Sequence, residues 1–252
     1  MTQIPSFHLP RGSEGRPGWI TRADATPTRD VTRRFLELTG LAAHDHPVLP
    51  PGAAGHGYLV IGGLFGKHMP GYMRANLEAL KRYGLDARLV PVDSDASVQE
   101  NAKTVRRAIL GAATAGRRLV LIGHSKGGVD AAAALSMYPD LKAAVLALVA
   151  IQSPFGGSPI AQDIQSTPLL QPVVNQVIKD VLRGDPQSVK DLTYDARERF
   201  LAEHPLPLDV PAVCVATSRL DVGSVLVASQ DYLWARYGYL SDGLVVPEDA
   251  VL

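Results

Sequence analysis

The sequence predicts an α/β fold in which a mostly parallel central sheet is flanked by helices. Three observations predict it. Short apolar runs rich in Val, Ile and Leu alternate with stretches of helical periodicity, the pattern of strands buried on both faces and joined by crossover helices. The runs stop abruptly, as Tyr58-Leu59-Val60-Ile61 does at Gly62-Gly63, which suits a strand feeding a tight loop. The 252 residues are 46% apolar, enough to bury one core, so a single domain is expected.

In chain order, residues 1–57 read as an arm rich in Pro and Gly. It holds one short amphipathic helix, Asp30 to Leu41, with Val31, Phe35 and Leu38 on one face and Gly40 near its end. The domain proper, 58–252, opens on the strand Tyr58 to Ile61. A helix from Tyr72 to Tyr83 follows, with Met73, Leu77 and Leu80 at helical spacing and Gly84 placed to end it. Arg88 to Val92 is the next strand, and Ser97-Val98-Gln99-Glu100 carries the reciprocal capping pattern that opens a helix with Val105 and Ile109 inward. Leu119 to Ile122 is a strand, Val129 to Tyr138 a helix and Ala144 to Ile151 a strand, so right-handed crossovers make the sheet parallel. Between about residues 160 and 205 two helical stretches succeed each other with no strand between them. The first, Leu170 to Leu182, aligns Val173, Val174, Val177, Ile178 and Val181 on one stripe. A helical cap inserted over the strand ends fits this pattern, and so do two ordinary helices packed on the sheet. After Pro211, Ala212 to Ala216 resumes the sheet, and Leu244 to Val246 is a candidate last strand.

Composition narrows the function classes. The 25 basic and 25 acidic residues cancel, so no global field draws the chain to nucleic acid or anionic lipid. No stretch has signal-peptide character or the length to span a bilayer, and a soluble, cytoplasmic protein without stable membrane insertion is expected. The single cysteine, Cys214, forms no intramolecular disulfide and reads as a buried small hydrophobe, in keeping with a reducing compartment. No HExxH or paired-cysteine pattern occurs, and His44-Asp45-His46 beside Pro47 reads as exposed loop, so neither metal nor cofactor is expected. Oligomeric state is left open.

One motif carries chemistry. Gly123-His124-Ser125-Lys126-Gly127 is G-x-S-x-G between an apolar strand and a helix, the setting of a nucleophile elbow. A serine there must turn sharply to project its hydroxyl above the sheet, and glycines two before and two after remove side chains from its path. Ala131 to Ala134 then let the helix approach the sheet closely. The competing reading is a Gly-rich turn that binds phosphate. Gly62 to Lys67 is one residue short of that spacing, and His68 stands where Ser or Thr would bind magnesium. Acyl transfer also needs oxyanion donors. The amides of Lys126, after the serine, and of Leu64, in Gly62-Gly63-Leu64-Phe65-Gly66 after the first strand, are the candidates. Lys126 puts a cation in the first helical turn, against the dipole. Asp130, four residues on, is read as its solvated partner, in preference to a role for Lys126 in reading the charge of an anionic substrate.

Together with Ile61-Gly62-Gly63-Leu64-Phe65, Gln152-Ser153-Pro154-Phe155-Gly156-Gly157-Ser158-Pro159-Ile160 and Ser241-Asp242-Gly243-Leu244-Val245, this motif resembles the lipase-related α/β-hydrolases. The likeness is greatest to an uncharacterised plant, fungal and bacterial branch with Lys after the nucleophile. It runs from about Tyr58 to the end of the chain. It implies an α/β-hydrolase fold with a helical cap, and a serine esterase or lipase acting on small-molecule or lipid esters through an acyl-enzyme on Ser125. The segment from Ser153 to Pro159 corresponds to the loop into the cap. An acyltransferase using the same acyl-enzyme, and a non-catalytic binding protein on the same fold, are the alternatives.

The family order is Ser, then acid, then His. Asp242 matches the acid position, and Asp221 is the alternative; either also suits the cap of a turn. All seven histidines, His8, His44, His46, His56, His68, His124 and His204, precede Asp242. In resembling lipases the His124 position supports the site from behind the reacting atoms. The reading therefore expects a chain that stops before its catalytic histidine. It also expects this species to be nearly inert, because losing one triad member costs up to about a million-fold in turnover.

Overall fold

The computed structural model describes residues 29–44, 49–64, 66, 69–114, 116–166, 186–205, 209–218, 226–238 and 240–252. Five parallel strands form one sheet in the order β2-β1-β3-β4-β5. They are β1 Gly57–Ile61, β2 Asp86–Leu89, β3 Leu119–His124, β4 Val145–Ile151 and β5 Ala212–Val215. After α1 (Thr32–His44), the helix α2 (Arg74–Arg82) links β1 to β2, α3 (Val98–Ala112) links β2 to β3, and α4 (Lys126–Met137) links β3 to β4. Ser97 caps α3 as its sequence pattern predicts, accepting the Glu100 amide at 3.1 Å.

The strand order places the site. From β1 the chain moves outward to β2 and then returns to lay β3 on the other flank of β1. The loops after β1 and β3 thus leave their strands in opposite directions, and this switch point beyond the carboxyl ends of the strands is where open α/β sheets bind their ligands. Ile61 pairs with Gly123 there, so Gly62-Gly63 and Ser125 emerge side by side.

One core unites the sheet and its helices. Leu59, Ile61, Leu119, Leu121, Leu148 and Ala150 from the strands meet Val105 and Ile109 of α3 and Ala131 to Ala134 of α4, all buried. Full burial of side chains such as Val105 and Ile109 contributes roughly 2 kcal/mol each.

Several expectations are corrected. The second strand is Asp86–Leu89 rather than Arg88 to Val92, and the helix after β3 begins at Lys126 rather than Val129. Leu244 to Val246 is not a strand. Asp242 Oδ1 accepts the amides of Leu244 and Val245, both at 2.8 Å, which removes those donors from any ladder. The helix of the arm forms, but Val31, Phe35 and Leu38 on its apolar face stay exposed.

In the insertion, Leu170 to Leu182 lies outside the described residues. Its flanks are α5 (Pro159–Ser166), a 3₁₀ turn at Pro186–Leu192 and α6 (Tyr194–Glu203). Ile160, Ile164, Val189, Leu192, Phe200 and Leu201 of these flanks belong to the main core. A further helix, α7 (Val227–Tyr237), was not predicted. It is anchored through Tyr232 and Tyr237, whose hydroxyls donate to buried Asp163 on α5 at 2.7 and 2.5 Å. Cys214 is half-buried and unpaired, and burial pushes its thiol up. Among the described residues, no helix is long and apolar enough to cross a membrane.

Candidate active site

Ser125 stands between the last residue of β3 and the first of α4, with φ 54 and ψ −130. A non-glycine residue in that region costs about 1–3 kcal/mol and persists only where its surroundings over-determine it. They do so here. The Ser125 amide donates to the Ile151 carbonyl at 2.9 Å, and its carbonyl accepts the Gly128 amide at 3.1 Å. Strand and helix then fold back on each other so tightly that a Cβ on Gly123 would lie 2.4 Å from the Gly128 Cα. Backbone on both sides leaves no route to relax.

The loop after β1 closes on the serine. A Cβ on Gly63 would lie 2.7 Å from the Ser125 Cβ and 3.2 Å from its Oγ, so only glycine allows this approach. Leu64 follows, half-buried against the core. Tyr72 holds this loop from the far side. Its hydroxyl accepts the Gly63 amide at 3.3 Å and shares a hydrogen bond with His124 Nδ1. Burial raises the Tyr72 phenol and lowers the His124 imidazole, so both are neutral near pH 7.

The side chain of Lys126 runs along α4 to Asp130. Its Nζ donates to both oxygens of Asp130, at 3.0 and 3.2 Å, and both residues are buried, at 0% and 1% exposure. The predicted pair forms, but it is not solvated. Asn101 Nδ2 donates to Asp130 Oδ2 at 2.8 Å. Burial outweighs these partners and pushes the Asp130 carboxyl up to about 6. Arg197, on α6, is buried too, and burial pulls it down to about 10. With its ammonium committed to Asp130, Lys126 is not placed to read substrate charge.

Asp242 reaches the same end of the sheet by a chain of side-chain contacts. Gln152 follows β4 with φ 49. Its Oε1 accepts the Thr217 amide at 2.6 Å, and its Nε2 donates to the Val245 carbonyl at 3.4 Å. The Asp242 segment is thereby tied to the strand ends, and Gln230 Nε2 on α7 donates to the Asp242 carbonyl at 3.3 Å. Burial raises the Asp242 carboxyl against the lowering effect of the Val245 and Leu244 amides. Asp221 lies outside the described residues.

Comparison with known proteins adds to this geometry. The PGAP1-like alpha/beta domain family matches residues 95–219, which contain α3, β3, Ser125, β4 and β5. The chain is similar to the mature lipase BlEst2 of Bacillus licheniformis, with TM-score 0.66 and 23% identity over 82% of this chain and 83% of that one. It is also similar to a metagenomic carboxyl esterase, with TM-score 0.63 and 24% identity over 98% of this chain and 71% of that one. A phospholipase of Legionella pneumophila matches with TM-score 0.56 and 18% identity over 78% of this chain, which spans only 44% of the phospholipase. The chain has the α/β-hydrolase fold. No curated protein matches it in sequence.

Within this fold, the described residues bring Ser125, Lys126, His124 and the Gly62-Gly63-Leu64 turn together around the switch point. Among the described residues no imidazole hydrogen-bonds to Ser125 or Asp242. His124 Nδ1 is taken by Tyr72, and His204 lies against the Phe200 ring, centroids 4.9 Å apart. His56 precedes β1, one strand length of roughly 16 Å from the loop that meets Ser125. His8, His46 and His68 lie outside the described residues. Among the described residues no group of His, Cys, Asp and Glu is arranged to hold a metal. Sequence reasoning missed Tyr72, which it placed on a helix. It belongs instead to the turn before α2, flanked by Gly71 and Met73 with φ 82 and 58.

Proposed function

We propose that this α/β-hydrolase cleaves carboxylic esters through an acyl-enzyme on Ser125. The observation that carries the reading is the strained backbone of Ser125, φ 54 and ψ −130, held against Gly63 at the switch point. Strain of this kind is maintained where projecting one side chain matters more than local stability. In the proposed mechanism the hydroxyl oxygen attacks the ester carbonyl, and the amides of Lys126 and Leu64 receive the developing oxyanion. Collapse of the tetrahedral intermediate releases the alcohol, and water then frees the acid. Asp242 is assigned to orient the base that carries the proton from Ser125 to the leaving alcohol; among the described residues no imidazole stands in that place. The names of the similar lipase, esterase and phospholipase structures favour an ester or lipid substrate.

The test is covalent. On prolonged incubation with a fluorophosphonate probe, the adduct should map by mass spectrometry to Ser125 and vanish in Ser125→Ala. An adduct elsewhere, or equal labelling of Ser125→Ala, would refute the assignment. Rapid stoichiometric labelling would show that a base already serves Ser125 in the 252-residue chain.

A further inference from the structure

The mechanism above leaves Tyr72 without a task, yet its side chain meets the loop after β1 at Gly62, Gly63 and Gly66. Its phenol oxygen accepts the Gly63 amide at 3.3 Å. The same oxygen hydrogen-bonds with His124 Nδ1. The ring occupies space that side chains at the neighbouring glycines would need, since a Cβ on Gly62 would lie 3.0 Å from it and one on Gly66 3.1 Å. Three successive turns, Gly66 N to Gly63 O, Met69 N to Gly66 O and Tyr72 N to Met69 O, bring the ring back over the loop it follows.

We propose that Tyr72 is a positioning residue that latches the Gly62–Gly66 loop to His124 and thereby fixes where the Leu64 amide meets the oxyanion. The inference rests on Ser125 being the nucleophile. In the proposed relay the phenol donates to the imidazole. Gly63 N–H can only donate, so the phenol oxygen accepts it, and the phenol hydrogen is free to go to an acceptor. His124 Nδ1 supplies that acceptor only as a neutral imidazole with its hydrogen on Nε2. Residue 124, next to Ser125, is then the end of a latch and not a base. The latch joins β1 to β3 across the switch point, and it holds the main chain one residue from the proposed donor.

The experiment uses Tyr72→Phe, which keeps the ring and removes the hydroxyl, together with His124→Asn, whose carbonyl oxygen replaces Nδ1 as acceptor, and His124→Phe, which has none. Amide hydrogen exchange at Gly63 and the rate of fluorophosphonate labelling are measured for each, with circular dichroism as the check of folding. In Tyr72→Phe, Gly63 exchange should rise roughly tenfold. Labelling should slow roughly tenfold, less than the 10²–10³ expected for loss of a donor itself. His124→Asn should stay near the parent, and His124→Phe should behave as Tyr72→Phe does. The nitrogen-15 shift of His124 Nδ1 should report an unprotonated acceptor in the parent. Exchange in Tyr72→Phe within twofold of the parent overturns the latch. Faster exchange with unchanged labelling overturns its positioning role, as does a His124→Phe variant equal to the parent. Labelling that persists in Ser125→Ala sinks the nucleophile reading instead, and Gly63 exchange still decides the latch.

Discussion

Breaking the Lys126–Asp130 pair from its two ends should give unequal costs with opposite pH dependence. Asp130 is ionised in the native state near pH 7 although its carboxyl is pushed up to about 6 from an ordinary 3.8. A carboxyl raised on folding stabilises the native state most below its unfolded value and loses that contribution as pH rises through its folded value. The loss is about 3 kcal/mol for a shift of this size, and it falls between about pH 4 and pH 6.

Lys126→Met removes the cation that favours the ionised form. Asp130 can then escape by taking a proton, which at pH 7 caps its total penalty near 4 kcal/mol. The added cost at pH 7 is thus only about 1 kcal/mol, and it grows by about 1.4 kcal/mol for each pH unit above. Asp130→Asn strands a buried ammonium, a loss of about 3–5 kcal/mol. Deprotonation of an ordinary lysine caps this near 5 kcal/mol at pH 7, and the cap falls as pH rises. Urea unfolding of both variants between about pH 6 and pH 9 measures the costs. Asp130→Asn should be the worse at low pH, the two costs should cross at about pH 8, and Lys126→Met should be the worse above it. Costs that are equal, small and flat with pH would refute the claim that the pair is dry.

Other predictions follow from single contacts. Gly63→Ala should abolish Ser125 labelling, because the new Cβ would lie 2.7 Å from the serine Cβ; labelling near the parent rate would contradict the closeness of the two loops. Gly123→Ala, facing backbone at 2.4 Å, should lower stability by at least the roughly 1–3 kcal/mol of an overpacked core, read as a shift in urea midpoint. Asp242→Asn keeps an oxygen for the Leu244 and Val245 amides and removes a carboxylate that burial disfavours. Its thermal midpoint near pH 7 should match or exceed the parent's, with the gain shrinking at acid pH where Asp242 itself is protonated; labelling at Ser125 should fall. Asp163→Ala strands the Tyr232 and Tyr237 hydroxyls and should cost about 2 kcal/mol, with exchange rising first in α7.

The central strands were legible because β1, β3 and β4 are covered on both faces and show as unbroken apolar runs. β2 was misplaced by two residues because it is an edge strand with an alternating, partly exposed pattern, while the more apolar Val90 lies beyond its end. Leu244 to Val246 misled for the converse reason: Val245 and Val246 are buried, but by a turn that consumes the amides a strand would need. α7 begins without a capping side chain at Leu226 and declares itself only at Gly238, φ 70. At the site, Ser125 and the Gly62-Gly63-Leu64 turn were readable because their constraint is local, a backbone that tolerates no side chain. Tyr72 was not, since its contact with His124 spans 52 residues and nothing in the periodicity of the turn before α2 reports it.

The buried cation one residue after Ser125 is costly on its face, since it opposes the dipole of α4 and is removed from water. Its geometry gives it a use. Asp130 lies one helical turn further on, and its second oxygen takes Asn101 from α3, so the pair joins the back of the elbow helix to the helix beside it. Arg197, whose charge acts on Asp130, donates to the Phe155 carbonyl at 3.1 Å, which carries the same bracing to the loop after β4. An apolar pair of equal volume would pack as well and hold none of these directions. Replacing Lys126 and Asp130 together by Met and Leu should therefore leave stability within about 1–2 kcal/mol of the parent or above it, yet slow Ser125 labelling. Retained labelling in that double variant would show that the elbow is held by its glycines and its strained backbone alone.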